Sequence, residues 1–344
     1  MNLNNINISS KTKPFIIAEM SNNHLCDLSI AKKIIEKAAE CGADAIKIQT
    51  YTADSLTIEC DKPEFIIQDE LWKGQSYYQL YKDIAMPIEW TGMLFEHAKK
   101  HNIMIFSSPF DETSVQLLET FNCPLYKIAS FEIQDFALLK AVAQTRKPVI
   151  MSTGIATLDE IKQSIAFLKE HGSTDIAILH CVSAYPSSFE QMNLLAINEL
   201  ASLGIPYGLS DHSLTNIPAI TAVAMGASII EKHFTLDRAL GGPDAAFSLI
   251  PKELSSLVAD TKSTWLALGN KDIFNNVNRP GKHHGRSIYV TKAMQAGDIL
   301  SDKNTRIIRP GFGLSPNYYN EILGKKVRCN IEFGTALAWE HIDE

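Results

Sequence analysis

Ser228-Ile229-Ile230-Glu231-Lys232-His233 and Ala45-Ile46-Lys47-Ile48-Gln49 are the stretches that decide the fold. Each is a short apolar run ending in ionisable or amide side chains. A strand with one wet face alternates apolar and polar residues. A parallel strand covered on both faces reads as a continuous apolar run. Six further runs match: Phe15 to Ala18, ending at Glu19; Ile103 to Phe106; Leu125 to Ile128; Pro148 to Met151; Ile176 to His180; and Pro206 to Leu209. Helix-like sequence separates many of them, at Leu28 to Cys41, Thr113 to Phe121, Phe136 to Ala143, Leu158 to His171, Leu194 to Leu203 and Ile217 to Met225. Eight βα units over roughly 250 residues predict a TIM (β/α)8 barrel. Periodicity does not report closure, so a doubly wound open sheet is the alternative.

The pattern breaks from about Leu266 to His284, where Gly269-Asn270-Lys271 and Asn275 to Lys282 read as linker. Beyond Gly285 come short β-like runs such as Ser287 to Val290, broken by Ala296-Gly297-Asp298, Pro310 to Gly313 and Phe333-Gly334. We therefore expect a barrel domain over 1–268, a linker over 269–284 and a small β-rich domain over 285–344.

Composition narrows the function. The 344 residues are 45% hydrophobic and 21% charged, which suits a globular protein with a sizeable core. A net charge of −7 without a long basic run argues against nucleic acid. No run of about 18 apolar residues suggests a membrane span. Six scattered cysteines with no Cys-x-x-Cys pair, and a polar start without a signal-like apolar core, lead us to expect a cytoplasmic protein with reduced thiols.

Three constellations carry the chemistry. His212 and His233 each close an apolar run, and two neutral imidazoles at a barrel mouth suit a divalent ion such as Mn²⁺ or Co²⁺; two ordinary histidines are the bland alternative. Lys47 and Lys127 lie inside apolar runs, where an unpaired ammonium is costly. They call for an anion, held with Ser130, Ser152 and Ser210, or for a Lys–Glu pair across the barrel with Glu19 or Glu132 as partner. Glu19, Glu132 and Asp244 are carboxylates able to bind sugar hydroxyls or move protons, or simply to face solvent. No Walker, Gly-x-Ser-x-Gly or Cys-x-x-Cys motif is present.

At these positions the chain resembles the sialic acid synthase family. The resemblance is carried by Ile17-Ala18-Glu19, Asn23-His24, Ile46 to Thr50, Tyr126 to Ser130, Ser152-Thr153-Gly154, Tyr185-Pro186, Gly208 to His212 and Ile230 to Thr235, and so spans nearly the whole chain. Arg309-Pro310-Gly311-Phe312-Gly313-Leu314 resembles the antifreeze-like (SAF) domain that follows the barrel in that family. The resemblance implies condensation of phosphoenolpyruvate with an amino sugar. It places His212 and His233 on a Mn²⁺, Co²⁺ or Mg²⁺ ion, and Lys47, Lys127, Ser130, Ser152, Ser183 and Ser210 on phosphoenolpyruvate. Glu19, Gln49, Glu132, Tyr185, Asp244 and Arg309 fall to the sugar, with Glu19 also a proton handler. It further implies a domain-swapped homodimer in which Arg309 reaches the partner's barrel.

Glu19-Met20-Ser21, Gln49 to Asp54, Leu71 to Gly74, Ala129 to Glu132 and Asp244 to Ser248 look like the branch of the family that makes pseudaminic acid. N-acetylneuraminate- or legionaminate-type chemistry is the alternative product. A pyruvate-dependent metal aldolase and a non-catalytic sugar-binding protein are the remoter ones. Phe247, Tyr51 or Trp72 would face the sugar's C6 methyl. Asn22, where the family leads one to expect glycine, and Ser183, where neuraminate enzymes have asparagine, depart from the family pattern.

Overall fold

A computed structural model describes residues 1–3, 6–68, 73–275 and 279–343. Trp72, named above for the methyl, and Asn276 to Asn278 of the expected linker lie outside the described residues. The chain divides into two compact units, Met1–Gly269 and Asn270–Glu344.

The first unit opens with a hairpin of β1 (Asn2–Leu3) and β2 (Ile6–Asn7). Eight parallel strands follow: β3 (Phe15–Glu19), β4 (Ala45–Thr50), β5 (Met104–Pro109), β6 (Tyr126–Ile128), β7 (Val149–Ser152), β8 (Ile176–Cys181), β9 (Tyr207–Asp211) and β10 (Ile229–His233). β10 pairs with both β9 and β3, so the sheet closes on itself. The continuous apolar runs are strands buried on both faces, as in β3 and β10, where every residue is buried. The open sheet is thereby excluded.

The helices are α1 (Leu28–Glu40), α2 (Ala53–Leu56), α3 (Tyr77–Ile84), α4 (Trp90–Lys100), α5 (Glu112–Thr120), α6 (Phe136–Gln144), α7 (Leu158–Glu170), α8 (Ile197–Ala201), α9 (Ile217–Ala224) and α10 (Pro251–Leu268). Local capping chemistry starts them. Asp27 accepts from the amides of Ser29 and Ile30 ahead of α1, and Thr157 and Glu160 form a capping box at α7. The structure adds α2, α3, α4 and α10 to the helices expected from sequence. Leu3 and Ile8, in a terminus that reads as merely polar, are buried and belong to the same apolar core as Phe15 and Phe106.

The second unit pairs β11 (Ser287–Val290) with β12 (Thr305–Ile308) antiparallel. Isolated bridges such as Met294 to Ile331 and Val327 to Ile342 extend this β texture. Its own core comprises Ile288, Val290, Met294, Leu300, Ile322, Val327, Ile331, Leu337 and Ile342.

Candidate active site

Register decides which side chains enter the barrel. His233 lies beside Glu19, and Glu19 beside Lys47, across β10, β3 and β4. Neighbours in register on parallel strands share a face, so these three project together. Two residues lower on β10, Glu231 lies beside Ser210 and then Cys181. The residues between, Lys232 and Asp211, are register partners on the opposite face.

The inward face holds a chain of buried charges. Lys47 Nζ is 2.8 Å from Glu19 Oε2 and 3.5 Å from Glu231 Oε1, while Lys127 Nζ is 3.8 Å from that same Glu231 oxygen. Lys127 donates to Ser152 Oγ at 2.7 Å, and Ser210 Oγ donates to Glu231 at 3.4 Å. The Lys–Glu pairing expected as the alternative for Lys47 is thus present through Glu19, and it coexists with the second lysine. Glu231 joins the two; sequence reading singled out its neighbours and passed over it. Burial pushes the Glu231 carboxyl up, but Lys127 and Lys47 outweigh burial and hold it low. Burial also lowers the Lys127 ammonium, only partly offset by Glu231. Glu19 is raised by burial against the pull of Lys47.

A cradle lies beside Lys127 where the segments after β6, β7 and β8 meet. Ser130 and Ser183 hydroxyls are 2.9 Å apart. A methyl group at Gly154 would come within 2.1 Å of Ser183 Oγ and 2.7 Å of Ser130 Cβ, so only glycine leaves this space open. Glu132, next to Ser130, has a buried Oε2 with no hydrogen-bond partner, and burial raises its carboxyl to about 7.

His212 and His233 face each other with ring centroids 5.4 Å apart. His212 Nδ1 is 2.9 Å from the Val182 carbonyl, to which its N–H donates, leaving Nε2 as the lone-pair nitrogen. His233 Nδ1 is buried without a partner. Burial lowers both imidazoles to about 4, with the neighbouring His233 adding to the effect on His212. At neutral pH both are neutral donors, which is what a divalent ion requires, so the donor set fits such an ion. No third His, Cys or carboxylate ligand stands at ligand spacing with them among the described residues. Tyr185 lies 4.2 Å from the His212 ring and Phe247 4.9 Å from the His233 ring, centroid to centroid.

The adjoining wall is tied together by side chains from β3, β4 and the segments that follow β3 and β10. Gln49 donates to Glu19 Oε1 at 2.8 Å and to Ser21 Oγ at 3.1 Å. Asn22 donates to Asp244 Oδ2 through its backbone amide at 3.2 Å and its side chain at 3.3 Å, and it accepts from Tyr51 at 3.2 Å. The departure at Asn22 therefore has a partner: it anchors Asp244. Arg309, directly after β12, is exposed in the second unit. His180, which also ends a strand, bonds the Met192 carbonyl at 2.6 Å and serves its own loop.

Two buried lysines, a serine cradle and two neutral imidazoles lie at the mouth of a (β/α)8 barrel, the end where enzymes of this fold carry their active sites. The chain belongs to the NeuB family, whose model matches residues 34–273, and the SAF domain matches residues 285–343. It is 42% identical to the pseudaminic acid synthase of Helicobacter pylori over 96% of this chain and 98% of that one. The pseudaminic acid synthase of Campylobacter jejuni is also 42% identical, over 96% of this chain and 97% of its own. Among solved structures, the N-acetylneuraminic acid synthetase of Leptospira borgpetersenii superposes with a TM-score of 0.73 at 35% identity, covering 82% of this chain and 93% of that one.

Proposed function

We propose that this enzyme condenses phosphoenolpyruvate with the open-chain aldehyde of 2,4-diacetamido-2,4,6-trideoxy-altrose and water, giving pseudaminic acid and phosphate. The observation that carries the reading is Glu231 joining Lys47 to Lys127 beneath the His212–His233 pair. Lys47 already has Glu19 at 2.8 Å, while the one carboxylate that Lys127 reaches, Glu231, is 3.8 Å away and shared, so the Lys127 ammonium has charge left to offer a phosphorylated carboxylic acid.

Lys127, Ser152, Ser130 and Ser183 hold phosphoenolpyruvate, with Lys47 and Ser210 fixing its orientation through Glu231. His212 and His233 hold a divalent ion of the Mn²⁺, Co²⁺ or Mg²⁺ type, which when bound supplies Lewis-acid polarisation of the aldehyde. Glu19, Gln49, Asp244 and Tyr185 position the sugar so that its C1 faces C3 of the enol. Bond formation there opens the enol and aldehyde π bonds, leaving cationic character at C2 and an alkoxide on the sugar's C1. That alkoxide takes a proton that we assign to Glu19, whose carboxyl is raised by burial. Water adds to C2, and the tetrahedral intermediate expels phosphate. Glu132 is the residue we assign to accept the water's proton, because a carboxyl near 7 ionises and reprotonates around neutral pH. Phe247 offers the apolar surface for C6. A domain-swapped homodimer would bring Arg309 of one chain to the sugar of the other. The six free cysteines support a reducing, cytoplasmic setting.

The test measures phosphate release from phosphoenolpyruvate with Mn²⁺ and a panel of amino sugars, with product masses read by mass spectrometry. The trideoxy-altrose derivative should be turned over fastest. Release with none of the sugars would end the synthase reading, and preference for a mannosamine would reassign the product. Glu132→Gln should remove the rise in kcat as pH climbs through about 7; an unchanged pH profile would return the proton to another group.

A further inference from the structure

Outside the barrel mouth, α1 and α4 bring together three metal-ligating side chains that the reaction does not use. Glu36 Oε1 is 2.9 Å from His97 Nε2 and 3.9 Å from His101 Nε2. His97 lies in the last turn of α4 and His101 caps that helix, four residues on, with ring centroids separated by 4.7 Å. Each residue offers one ligand atom, and the three atoms lie within 4.8 Å of one another. A tetrahedral ion with bonds of about 2.0–2.1 Å needs its ligands about 3.3 Å apart. The observed separations bracket that value, so small side-chain rotations suffice.

The backbone is already fixed. Ile34 and Ile35 of α1 and Leu94 and Ala98 of α4 are buried in one core, so the helices hold Glu36 opposite the histidines without an ion. The side chains remain reachable, with relative exposures of 35% for Glu36, 17% for His97 and 37% for His101. An ion can therefore enter, and water can fill the fourth position. A simple His97–Glu36 hydrogen bond explains two of the three groups. It does not explain why the more exposed His101 turns its nitrogen toward the same oxygen.

We propose that Glu36, His97 and His101 form a second, peripheral site for a borderline divalent cation of the Zn²⁺ or Ni²⁺ class, which clips α1 to α4. Two imidazole nitrogens and one carboxylate oxygen favour such ions over Mg²⁺ or Ca²⁺.

The test is equilibrium dialysis of the metal-stripped full chain against Zn²⁺ alone, comparing wild type, His97→Ala/His101→Ala and His212→Ala/His233→Ala. Wild type should bind two equivalents and each double variant one. The thermal midpoint should rise with Zn²⁺ in the His212→Ala/His233→Ala protein and not in the His97→Ala/His101→Ala protein. Equal Zn²⁺ binding by wild type and His97→Ala/His101→Ala would overturn the proposal, as would loss of all binding from His212→Ala/His233→Ala. Glu36→Gln gives a second check, because it keeps the shape while weakening Zn²⁺ binding. If the mouth holds no ion, wild type binds one equivalent that only the α4 variant loses, so the two readings fail separately.

Discussion

Two sets of buried lysines sit on opposite faces of the same barrel wall and behave differently. Lys232, on the outer face of β10, donates to Asp211 at 2.7 Å, to the carbonyls of Ser213 and Thr215 at 2.6 and 3.0 Å, and to Ser213 Oγ at 3.3 Å. Its ammonium is saturated, and it pins the turn that follows His212. Lys47 and Lys127, on the inner face, share Glu231, whose Oε2 is buried without a hydrogen-bond partner, and Lys47 alone also pairs with Glu19. A buried charge network left unfinished is expensive unless something else completes it. The complete network is scaffolding; the incomplete one is where the proposed function puts its anionic substrate.

Substitutions should separate the two. Lys127→Met should lower phosphate release about 100- to 1000-fold while denaturant midpoints move little, because Glu231 keeps Lys47 as a partner. Steady-state kinetics beside urea unfolding checks this, and a large stability loss would erase the distinction. Lys232→Met should do the reverse first, costing about 3–5 kcal/mol of stability by stranding the Asp211 carboxylate. Asp211→Leu/Lys232→Met should recover part of that loss.

The buried imidazoles sharpen the comparison further. Burial holds His24, His212 and His233 at about 4 in the fold, against 6.5 ordinarily. The unfolded chain therefore binds more protons between these values. Stability is fully present above about pH 6.5 and falls as pH drops toward 4. His212→Gln should flatten part of that slope in pH-dependent melting, and an unchanged slope would mean that this imidazole binds its proton equally in the folded and the unfolded chain. The smallest effect belongs to Tyr51→Phe, which removes the hydrogen bond to Asn22 at about 0.5–1.5 kcal/mol. It should raise KM for the sugar a few-fold and leave KM for phosphoenolpyruvate alone.

The barrel was legible because burial on both faces leaves an unbroken apolar signature, and all eight runs became strands. α4 was not, since only Thr91, Leu94 and Ala98 are buried along it and its surface is polar. The hairpin escaped notice because two buried side chains in a polar terminus make no pattern. At the site, His212, His233, Lys47 and Lys127 stood out as ionisable groups in or closing apolar runs. Glu231 did not, because in Glu231-Lys232-His233 three consecutive charged or polar residues look equivalent. Only register shows that the outer two face the mouth and the middle one faces away.

The tie between Asn22 and Asp244 joins residues 222 positions apart. It crosses the seam where the first barrel strand meets the last, as do the Phe234 amide to the Glu19 carbonyl and Asn23 to the Phe234 carbonyl. During synthesis Glu19 emerges early, yet its neighbours on β10 are among the last of the barrel to appear. The mouth is therefore completed only when the ring shuts, by contacts that are among the most distant in sequence the barrel makes.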